Sequence, residues 1–298
     1  MQIWTKRTLS RVRGADVRIG QKNLHEDGLR HGGAGAMLQW WLPHTPESLG
    51  VCRRRPAVLI LPGGGYHHVS EREAEPVALR FLAQGYGAFS LRYTCSPACF
   101  PKQLREAAMA MAYIRENAEA FGIDPAMVAA VGFSAGGHLC GMLGTMYDCP
   151  ELSDLGTPAQ LRPDALILCY PVAVSWGRTH EQSFANISGG DPLLRKRLSL
   201  DTLVRADMPP VFLWHTRTDT SVPCRNSLLL AVALEEAGVP FTMHIYRKGV
   251  HGLSTADAQA YPAGKIPETG PDLEKWPETA MEFLKEIGFQ ITDKEDSP

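Results

Sequence analysis

Short apolar runs and longer amphipathic segments alternate along this chain from about residue 57 onward. The runs are almost continuously apolar, a pattern typical of strands buried on both faces of a parallel sheet. The alternation predicts an α/β fold with right-handed crossovers. The predicted strands are Ala57 to Leu61, Ala88 to Tyr93, Val128 to Phe133, Ala165 to Tyr170, Val211 to His215 and Phe241 to Tyr246. The predicted helices are Arg72 to Ala83, Lys102 to Phe121, Ala135 to Met146, Asn226 to Ala237 and Trp276 to Ile287.

Other parts of the chain depart from this alternation. The first fifty residues are polar and Gly-rich, with one predicted strand, Met37 to Leu42, and the run Arg53 to Arg55 is interpreted as solvated. Pro171 to Asp207 is too long for an ordinary connection, so we interpret it as a small insertion over the active face, after the sixth strand of the fold. We expect a single domain over residues 1–298, with a frayed tail at 292–298.

Composition narrows the classes of function. Hydrophobic residues make up 44% and charged residues 21%, which excludes disorder along the whole chain. With 30 Lys and Arg against 32 Asp and Glu, the chain has no basic field for nucleic acid or an anionic membrane. The seven scattered cysteines are expected to be reduced structural thiols. Neither a secretory signal nor a membrane-spanning stretch is evident, so we expect a cytoplasmic protein with no membrane partner.

A candidate nucleophile stands between a predicted strand and a predicted helix. Gly132 to Gly136 reads GFSAG and matches G-x-S-x-G, with Ser134 at its centre. A strand leads directly into Ser134 and a helix leaves directly after it, which is the context of a nucleophile elbow. The alternative interpretation is a serine that caps the helix in an ordinary βα turn. The context favours the nucleophile, placed at a helix N-terminus that stabilises developing negative charge.

A serine hydroxyl needs a general base to become nucleophilic. In this motif class an acid and then a histidine follow the serine in the chain. Asp219 lies in a polar loop after one predicted strand, and His251 lies after the next. Both therefore lie at the carboxyl edge of the sheet, where Ser134 also lies. We predict that His251 takes the proton of Ser134 and that Asp219 fixes the imidazole tautomer.

Other histidines and aspartates are candidates for the base and the acid, but their positions in the predicted fold are less suitable. His215 and His244 lie within predicted strands, where a packed or surface imidazole is the simpler interpretation. Asp201 and Asp207 belong to the insertion, and Asp207 precedes a strand rather than following one. Asp257 comes six residues after His251 and is an alternative acid. Position at a strand end favours Asp219 over each of these carboxylates.

A run of three glycines follows the first parallel strand, in the sequence LPGGGYHH. Glycines let backbone N–H groups approach a developing oxyanion without obstruction by side chains. We predict an oxyanion hole formed by Gly63, Gly64 and Ala135. The run lacks the spacing of a phosphate-binding loop. The residues predicted to contact substrate are Gly65, Tyr66, His67 and Trp176. The alternative for His67 and its neighbour His68 is a solvated loop, and the alternative for Trp176 is simple packing of the insertion onto the core.

Together, the segments LPGGGY, GFSAGGHL, TDTSVP and KGVHGL resemble the α/β-hydrolase superfamily. Within it the chain is most similar to the hormone-sensitive-lipase-like and acetyl-esterase branch, which includes acetylxylan-esterase-like bacterial proteins. The resemblance covers about residues 37 to 289. It implies a mostly parallel central sheet flanked by helices, and it places the nucleophile, acid and base on Ser134, Asp219 and His251. Pro62 stands where the hormone-sensitive-lipase group usually has His, so which two glycine amides point inward stays open.

Three functions are compatible with these residues. The leading hypothesis is a serine carboxylesterase that hydrolyses short acyl esters, chiefly acetyl, with water as co-substrate and plant-polysaccharide sugars as the alcohol by resemblance. The alternatives are a peptidase or amidase (formamidase-like) of the same fold, and a non-catalytic binding protein. No ligand spacing supports a metal, and no cofactor is expected. A homodimer, through an edge strand or the insertion, is left open by the resemblance.

Overall fold

A computed structural model describes residues 8–12, 15–24 and 35–294. The strands are β1 (Thr8–Val12), β2 (Ala15–Leu24), β3 (Ala36–Pro43), β4 (Cys52–Leu61), β5 (Gly87–Arg92), β6 (Ile123–Phe133), β7 (Ala165–Cys169), β8 (Val211–Thr216), β9 (Phe241–Tyr246) and β10 (Thr292–Lys294). The helices are α1 (Glu75–Ala83), α2 (Lys102–Glu116), α3 (Ala118–Phe121), α4 (Ala135–Thr145), α5 (Pro158–Leu161), α6 (Glu181–Ser188), α7 (Pro192–Arg197), α8 (Leu200–Leu203), α9 (Arg225–Glu236) and α10 (Trp276–Glu286).

The strands form one sheet in the order β1-β2-β3-β5-β4-β6-β7-β8-β9, with β10 paired to β4. Strands β5, β4, β6, β7, β8 and β9 run parallel, whereas β1, β2 and β3 are antiparallel. The predicted architecture, a mostly parallel sheet flanked by helices, is confirmed. Because the connections are crossovers, the carboxyl ends of the parallel strands meet at one edge.

Helices cover both faces of the sheet, and the side chains of β4 alternate between the two resulting cores. Leu59 and Leu61 pack into the core that includes α2, α4 and α9. Val58 and Ile60 pack into the opposite core, which includes α1 and α10. All four side chains are fully buried. This double burial explains why the parallel strands read as continuous apolar runs rather than as alternating ones.

The N-terminal part differs most from the sequence prediction. The predicted strand Met37 to Leu42 lies within β3, but β1 and β2 were not expected from their polar sequences. They are held by antiparallel pairing, β1 to β2 and β2 to β3, a tertiary contribution that local composition does not encode. The solvated interpretation is wrong for Arg55, which is buried in β4 and donates to the Thr45 hydroxyl at 3.3 Å.

Other differences concern the bounds of elements. The predicted helix Lys102 to Phe121 is divided between α2 and α3, and the helix predicted from Arg72 begins as α1 only at Glu75. The tail is not frayed throughout, because Thr292–Lys294 pair with β4, and 295–298 lie outside the described residues.

The segment 171–207 contains α6, α7 and α8, and it follows β7, the seventh strand, rather than a sixth. The seven strands include β1 and β2, which the sequence did not predict. Asn226, in the first turn of α9, fixes the start of this segment: its side-chain oxygen accepts the backbone N–H groups of Ala173 and Val174 at 3.1 and 3.2 Å. The segment is thereby held at the carboxyl edge of the sheet.

Candidate active site

Ser134 lies in a sharp turn between β6 and α4. Its backbone has φ 53° and ψ −118°, a strained conformation for a residue with a side chain. Its N–H donates to the carbonyl of Cys169 at 3.0 Å, which fixes the turn against the end of β7. The turn also requires glycine at position 136, because a Cβ there would lie 2.0 Å from the Leu61 carbonyl oxygen. The close packing of this turn therefore explains why small residues flank Ser134 in the GxSxG motif.

The structure brings the three predicted side chains into one hydrogen-bonded chain. The Ser134 hydroxyl lies 2.7 Å from Nε2 of His251, and Nδ1 of His251 lies 2.6 Å from Oδ2 of Asp219. Ser134 and Asp219 are buried, whereas the His251 side chain between them is 20% exposed. With Nδ1 donating to the carboxylate, Nε2 can accept the serine proton. This arrangement can generate an alkoxide nucleophile.

Asp219 accepts hydrogen bonds with both carboxylate oxygens. Its Oδ1 accepts the backbone N–H groups of Ser221 and Val222, each at 2.9 Å. Burial by itself would raise the pKa of Asp219, but hydrogen bonds from His215 and His251 outweigh it and hold the pKa well below its usual range. The acid is therefore ionised at neutral pH.

His215 is a second imidazole beside the acid, and sequence reasoning assigned it only a packing role. It is fully buried in β8. Its Nε2 lies 2.9 Å from the Val222 carbonyl oxygen and 3.4 Å from Oδ2 of Asp219, and its Nδ1 lies 2.7 Å from the Ser227 hydroxyl. The one signal in the sequence was its spacing of four residues before Asp219 at the end of the same strand.

The competing residues lie in other contacts. Asp257 pairs with Arg80 at 2.7 Å, and Asp207 pairs with Arg205. Asp201 accepts the indole N–H of Trp176 at 2.8 Å. None of these three carboxylates is bonded to His251 in the described part of the chain.

The glycine loop supplies backbone donors beside Ser134, but Gly63 is already occupied. Its N–H donates to Oε2 of the buried Glu73 at 2.8 Å. The prediction that Gly63 contributes to an oxyanion hole is therefore wrong, because a bound carbonyl would compete with a carboxylate for one proton. Among the described residues, the amides of Gly64, Gly65 and Ala135 have no acceptor. These three N–H groups are the donors left for a ligand.

The residues predicted to contact substrate fall into different environments. Tyr66 is fully buried and its hydroxyl bonds Nδ1 of His138 at 2.8 Å, so the prediction of a substrate contact is wrong for it. It points into the core because the tight loop, with φ 58° at Tyr66, turns its side chain under the glycines. His67 is exposed, and Trp176 is 46% exposed with the Arg225 guanidinium 5.3 Å from its ring centroid. Both stay predicted contacts.

The insertion reaches the glycine loop through α6. Asn186 donates its side-chain N–H to the Gly65 carbonyl at 2.8 Å. His180, just before α6, is half-buried, and a Cβ on Gly65 would lie 3.5 Å from its Cε1. Burial, and then the neighbouring His251, lower the pKa of His180. The sequence interpretation had the loop around His180 offer, with Trp176 and Tyr170, a stacking surface for a sugar ring, but Tyr170 is buried.

The described residues contain neither a metal-binding cluster nor a membrane-spanning helix. Across 8–12, 15–24 and 35–294, no three His, Cys, Asp or Glu side chains are grouped so that they could hold a metal ion. Over the same ranges no helix combines the length and apolar character needed to cross a membrane.

The chain is similar to known polysaccharide-active proteins over much of its length. It is 35% identical over 219 residues to endo-1,4-beta-xylanase B of Butyrivibrio fibrisolvens, a match that covers 70% of this chain and 34% of that protein. It is 28% identical over 281 residues to the acetylxylan esterase of Xylanibacter ruminicola, covering 91% of this chain and 54% of that one. The chain thus spans about a third to a half of these curated relatives.

The chain is also similar to a solved structure and to a family model. The acetyl ester-xyloside bifunctional hydrolase of Caldicellulosiruptor lactoaceticus superposes with a TM-score of 0.77 at 33% identity, covering 91% of this chain and 97% of that one. The BD-FAE family model matches residues 49–234, which contain the glycine loop, Ser134 and Asp219. The chain therefore belongs to the BD-FAE family and is an esterase-like α/β-hydrolase.

Proposed function

We propose that this protein is a serine carboxylesterase that removes short acyl groups, chiefly acetyl, from sugars derived from plant polysaccharides. The observation that carries the proposal is the chain from Ser134 through His251 to Asp219, with bonds of 2.7 and 2.6 Å. The names of the relatives, which include an acetylxylan esterase and an acetyl ester-xyloside hydrolase, support the acetyl-sugar substrate.

The first half of the reaction forms an acyl-enzyme. The Ser134 oxygen attacks the ester carbonyl carbon while its proton moves to Nε2 of His251. The carbonyl oxygen becomes an oxyanion, for which the unpaired amides of Gly64, Gly65 and Ala135 are the proposed donors. When the C–O bond of the ester breaks, His251 returns the proton to the leaving alcohol. Asp219 stabilises the imidazolium throughout without taking its proton.

Water completes the cycle. His251 takes a proton from a water molecule, whose oxygen attacks the acyl carbon. As the intermediate collapses and releases the carboxylic acid, His251 returns this proton to the departing oxygen of Ser134. No metal or redox group takes part in this proposal. The same groups hold the oxyanion in both halves, so one site serves both steps.

The single-domain organisation of residues 1–298, with the insertion covering the site, belongs to the same proposal and is supported by the contact of Asn186 with Gly65. The seven cysteines are free thiols, which favours a reducing compartment such as the cytoplasm. A homodimer stays a prediction.

The test is hydrolysis of p-nitrophenyl esters from acetate to palmitate, and of acetylated xylo-oligosaccharides, by the wild type and by Ser134→Ala. We expect turnover that falls beyond butyrate, and a loss on the order of 10⁵- to 10⁶-fold in the variant. Ser153→Ala is the matched control, because the Ser153 hydroxyl is exposed and bonds only the Pro150 carbonyl among the described residues.

An active Ser134→Ala variant, with purity confirmed by mass, would refute the nucleophile. A peptidyl-anilide substrate forms the second arm. Turnover of the anilide without turnover of any ester would replace the esterase with an amidase of the same fold, since the hydrogen-bonded chain serves both bond types. If a serine-directed phosphonate fails to label the wild type, a binding protein becomes the better interpretation.

A further inference from the structure

Glu73 is a buried carboxylate next to the site that the proposed reaction does not use. It ends a short 3-10 turn, Glu71–Glu73, between the glycine loop and α1. Its residue exposure is 3%, and it forms no ion pair with any residue in the described ranges. A carboxylate is seldom buried without a cation unless hydrogen bonds satisfy its oxygens. Its position therefore calls for a physical reason.

Each oxygen of Glu73 accepts one hydrogen bond, and the two donors belong to different loops. Oε2 accepts the backbone N–H of Gly63 at 2.8 Å, and Oε1 accepts the Tyr170 hydroxyl at 2.7 Å. Gly63 belongs to the glycine loop after β4, whereas Tyr170 directly follows β7, two strands away in the sheet. Among the described residues, no backbone hydrogen bond joins these two elements at this point, and the carboxylate connects them.

On the first side, Glu73 determines the position of the glycine loop beside the nucleophile. A Cβ on Gly63 would lie 2.8 Å from Oε2 of Glu73 and 3.0 Å from Cβ of Ser134. Gly63 is thus packed between the carboxylate and the serine. Because the amides of Gly64 and Gly65 follow directly in the chain, a shift of Gly63 displaces both free donors relative to Ser134.

On the second side, Glu73 reaches the loop that carries the base through Tyr170. The Tyr170 hydroxyl also accepts the backbone N–H of Ser254 at 2.9 Å, three residues after His251. The Tyr170 ring meets the His251 ring edge to face, with centroids 5.1 Å apart. Burial and then the Glu73 charge raise the pKa of Tyr170 well above its ordinary value, so the phenol stays protonated and donates.

The turn at Tyr170 and the loop that carries His251 both contain strained backbone, which these hydrogen bonds support. Tyr170 and Ser254 have φ 38° and 53°, in the left-handed region that side chains disfavour. The Ser254 carbonyl is held in turn by the indole N–H of Trp276 at 2.8 Å. A hydrogen bond to a charged acceptor in a buried site is stronger than a neutral one, and it restricts both partners.

We propose that Glu73 is a positioning residue that fixes the positions of the glycine loop and the His251 loop relative to Ser134. The inference rests on the proposed esterase function. The chemical requirement is an acceptor with two free oxygens, because Gly63 and Tyr170 both donate. A glutamine offers one oxygen and one NH₂ group, so it can satisfy only one of the two donors. The carboxylate does not touch substrate in this scheme.

The test compares Glu73→Gln with Tyr170→Phe and with the double variant, using p-nitrophenyl acetate. Each kcat is normalised to the serines titrated by a phosphonate, so that misfolded protein is not counted. For Glu73→Gln we expect kcat to fall roughly 10- to 100-fold with KM within threefold, since the oxyanion donors are displaced rather than removed. Tyr170→Phe should show the same split, and the double variant should lose little more than either single one.

Two further variants separate positioning from stability. Glu73→Asp keeps two acceptor oxygens and should recover part of the lost kcat, whereas Glu73→Gln should not. Glu71→Gln is the matched control: its side chain is 86% exposed and contacts only Arg92, at 3.9 Å, among the described residues, so kcat and melting temperature should stay unchanged.

Two results would overturn the inference: a wild-type kcat in Glu73→Gln, whether or not its melting temperature is lowered, or losses that add in the double variant. If Glu73→Gln does not fold, the kcat and melting temperature of Tyr170→Phe and Glu73→Asp test the inference in its place. Ser134→Ala keeps the two proposals apart. If that variant is active, the esterase mechanism fails, and if it is inactive while Glu73→Gln is normal, only the role of Glu73 fails.

Discussion

The acid loop and the glycine loop face each other across Ser134, and they differ in how their polar groups are satisfied. Asp219 accepts hydrogen bonds at both oxygens from the chain itself. In the glycine loop only the first amide, that of Gly63, is bonded, and those of Gly64 and Gly65 have no acceptor among the described residues. A carboxylate whose oxygens both accept hydrogen bonds is fixed in position, whereas unpaired N–H donors at a partly open surface are available to a ligand.

A buried histidine supports each loop. On the acid side, His215 lies between the Ser227 hydroxyl and the Val222 carbonyl. On the glycine side, His138 lies between the Tyr66 hydroxyl and the Leu198 carbonyl, at 2.8 and 2.7 Å. In each ring Nε2 faces a backbone carbonyl and Nδ1 faces a hydroxyl. The loops therefore differ in their free groups, although a buried histidine supports each of them.

Removing the charge on the acid side is expected to have the largest effect. Asp219→Asn replaces an acceptor beside Nδ1 of His251 with an amide that can donate, which favours the wrong imidazole tautomer. We expect kcat for p-nitrophenyl acetate to fall on the order of 10⁴-fold with the fold intact. Asp257→Asn is the control, because that carboxylate pairs with Arg80. A larger loss in Asp257→Asn than in Asp219→Asn would identify Asp257 as the acid.

On the glycine side, two neighbouring substitutions should differ. Gly64 has φ 127°, and a Cβ there would lie 2.0 Å from the His68 carbonyl oxygen, so Gly64→Ala forces the loop to open. Gly65 has φ 64°, but its nearest contact would be an ordinary 3.5 Å. We expect kcat/KM to fall about 100-fold in Gly64→Ala, comparable to losing one oxyanion donor, and less than 10-fold in Gly65→Ala.

Measured melting temperatures separate the two effects, since both alanines add backbone strain. Equal losses of activity in the two variants would contradict the argument, because only the Gly64 substitution collides with backbone.

The smallest predicted effect concerns stability in acid. Burial lowers the pKa of His138 to about 4, below its ordinary value of 6.5. The unfolded chain therefore binds more protons between these values, and stability falls as the pH falls through that window. Between pH 7 and pH 5 the contribution of His138 to the free energy of unfolding should drop by about 2 kcal/mol.

The check is urea unfolding of the wild type and of His138→Gln at the two pH values. Glutamine can accept from Tyr66 and donate to Leu198 without titrating, so the variant should lose about 2 kcal/mol less on acidification. Asp219, whose pKa is depressed, loses its own contribution only at still lower pH and affects both proteins alike. Parallel losses in the two proteins would rule out His138 as the titrating group.

The sequence predicted the parts of the fold whose cause is local. The strands β4 to β8 appear as apolar runs because both faces of the sheet are covered there, and Ser134 appears because a tight turn admits only small neighbours. The strands β1 and β2 do not appear, since the pairing of β1 with β2 and of β2 with β3 holds them in place. Glu73 was missed for a similar reason: nothing nearby in the chain indicates that its partners are Gly63 and Tyr170, the latter 97 residues away.

The sequence by itself determined the α/β architecture, the order of serine, acid and base, and the glycine loop, because periodicity and residue spacing record them directly. The tertiary structure alone decided which amides are free, that Tyr66 is buried, and that Glu73 and His215 lie beside the site. Hydrogen bonds between distant segments leave no periodic trace in a sequence. A donor such as the Gly63 amide is free or occupied only by virtue of what the fold places against it.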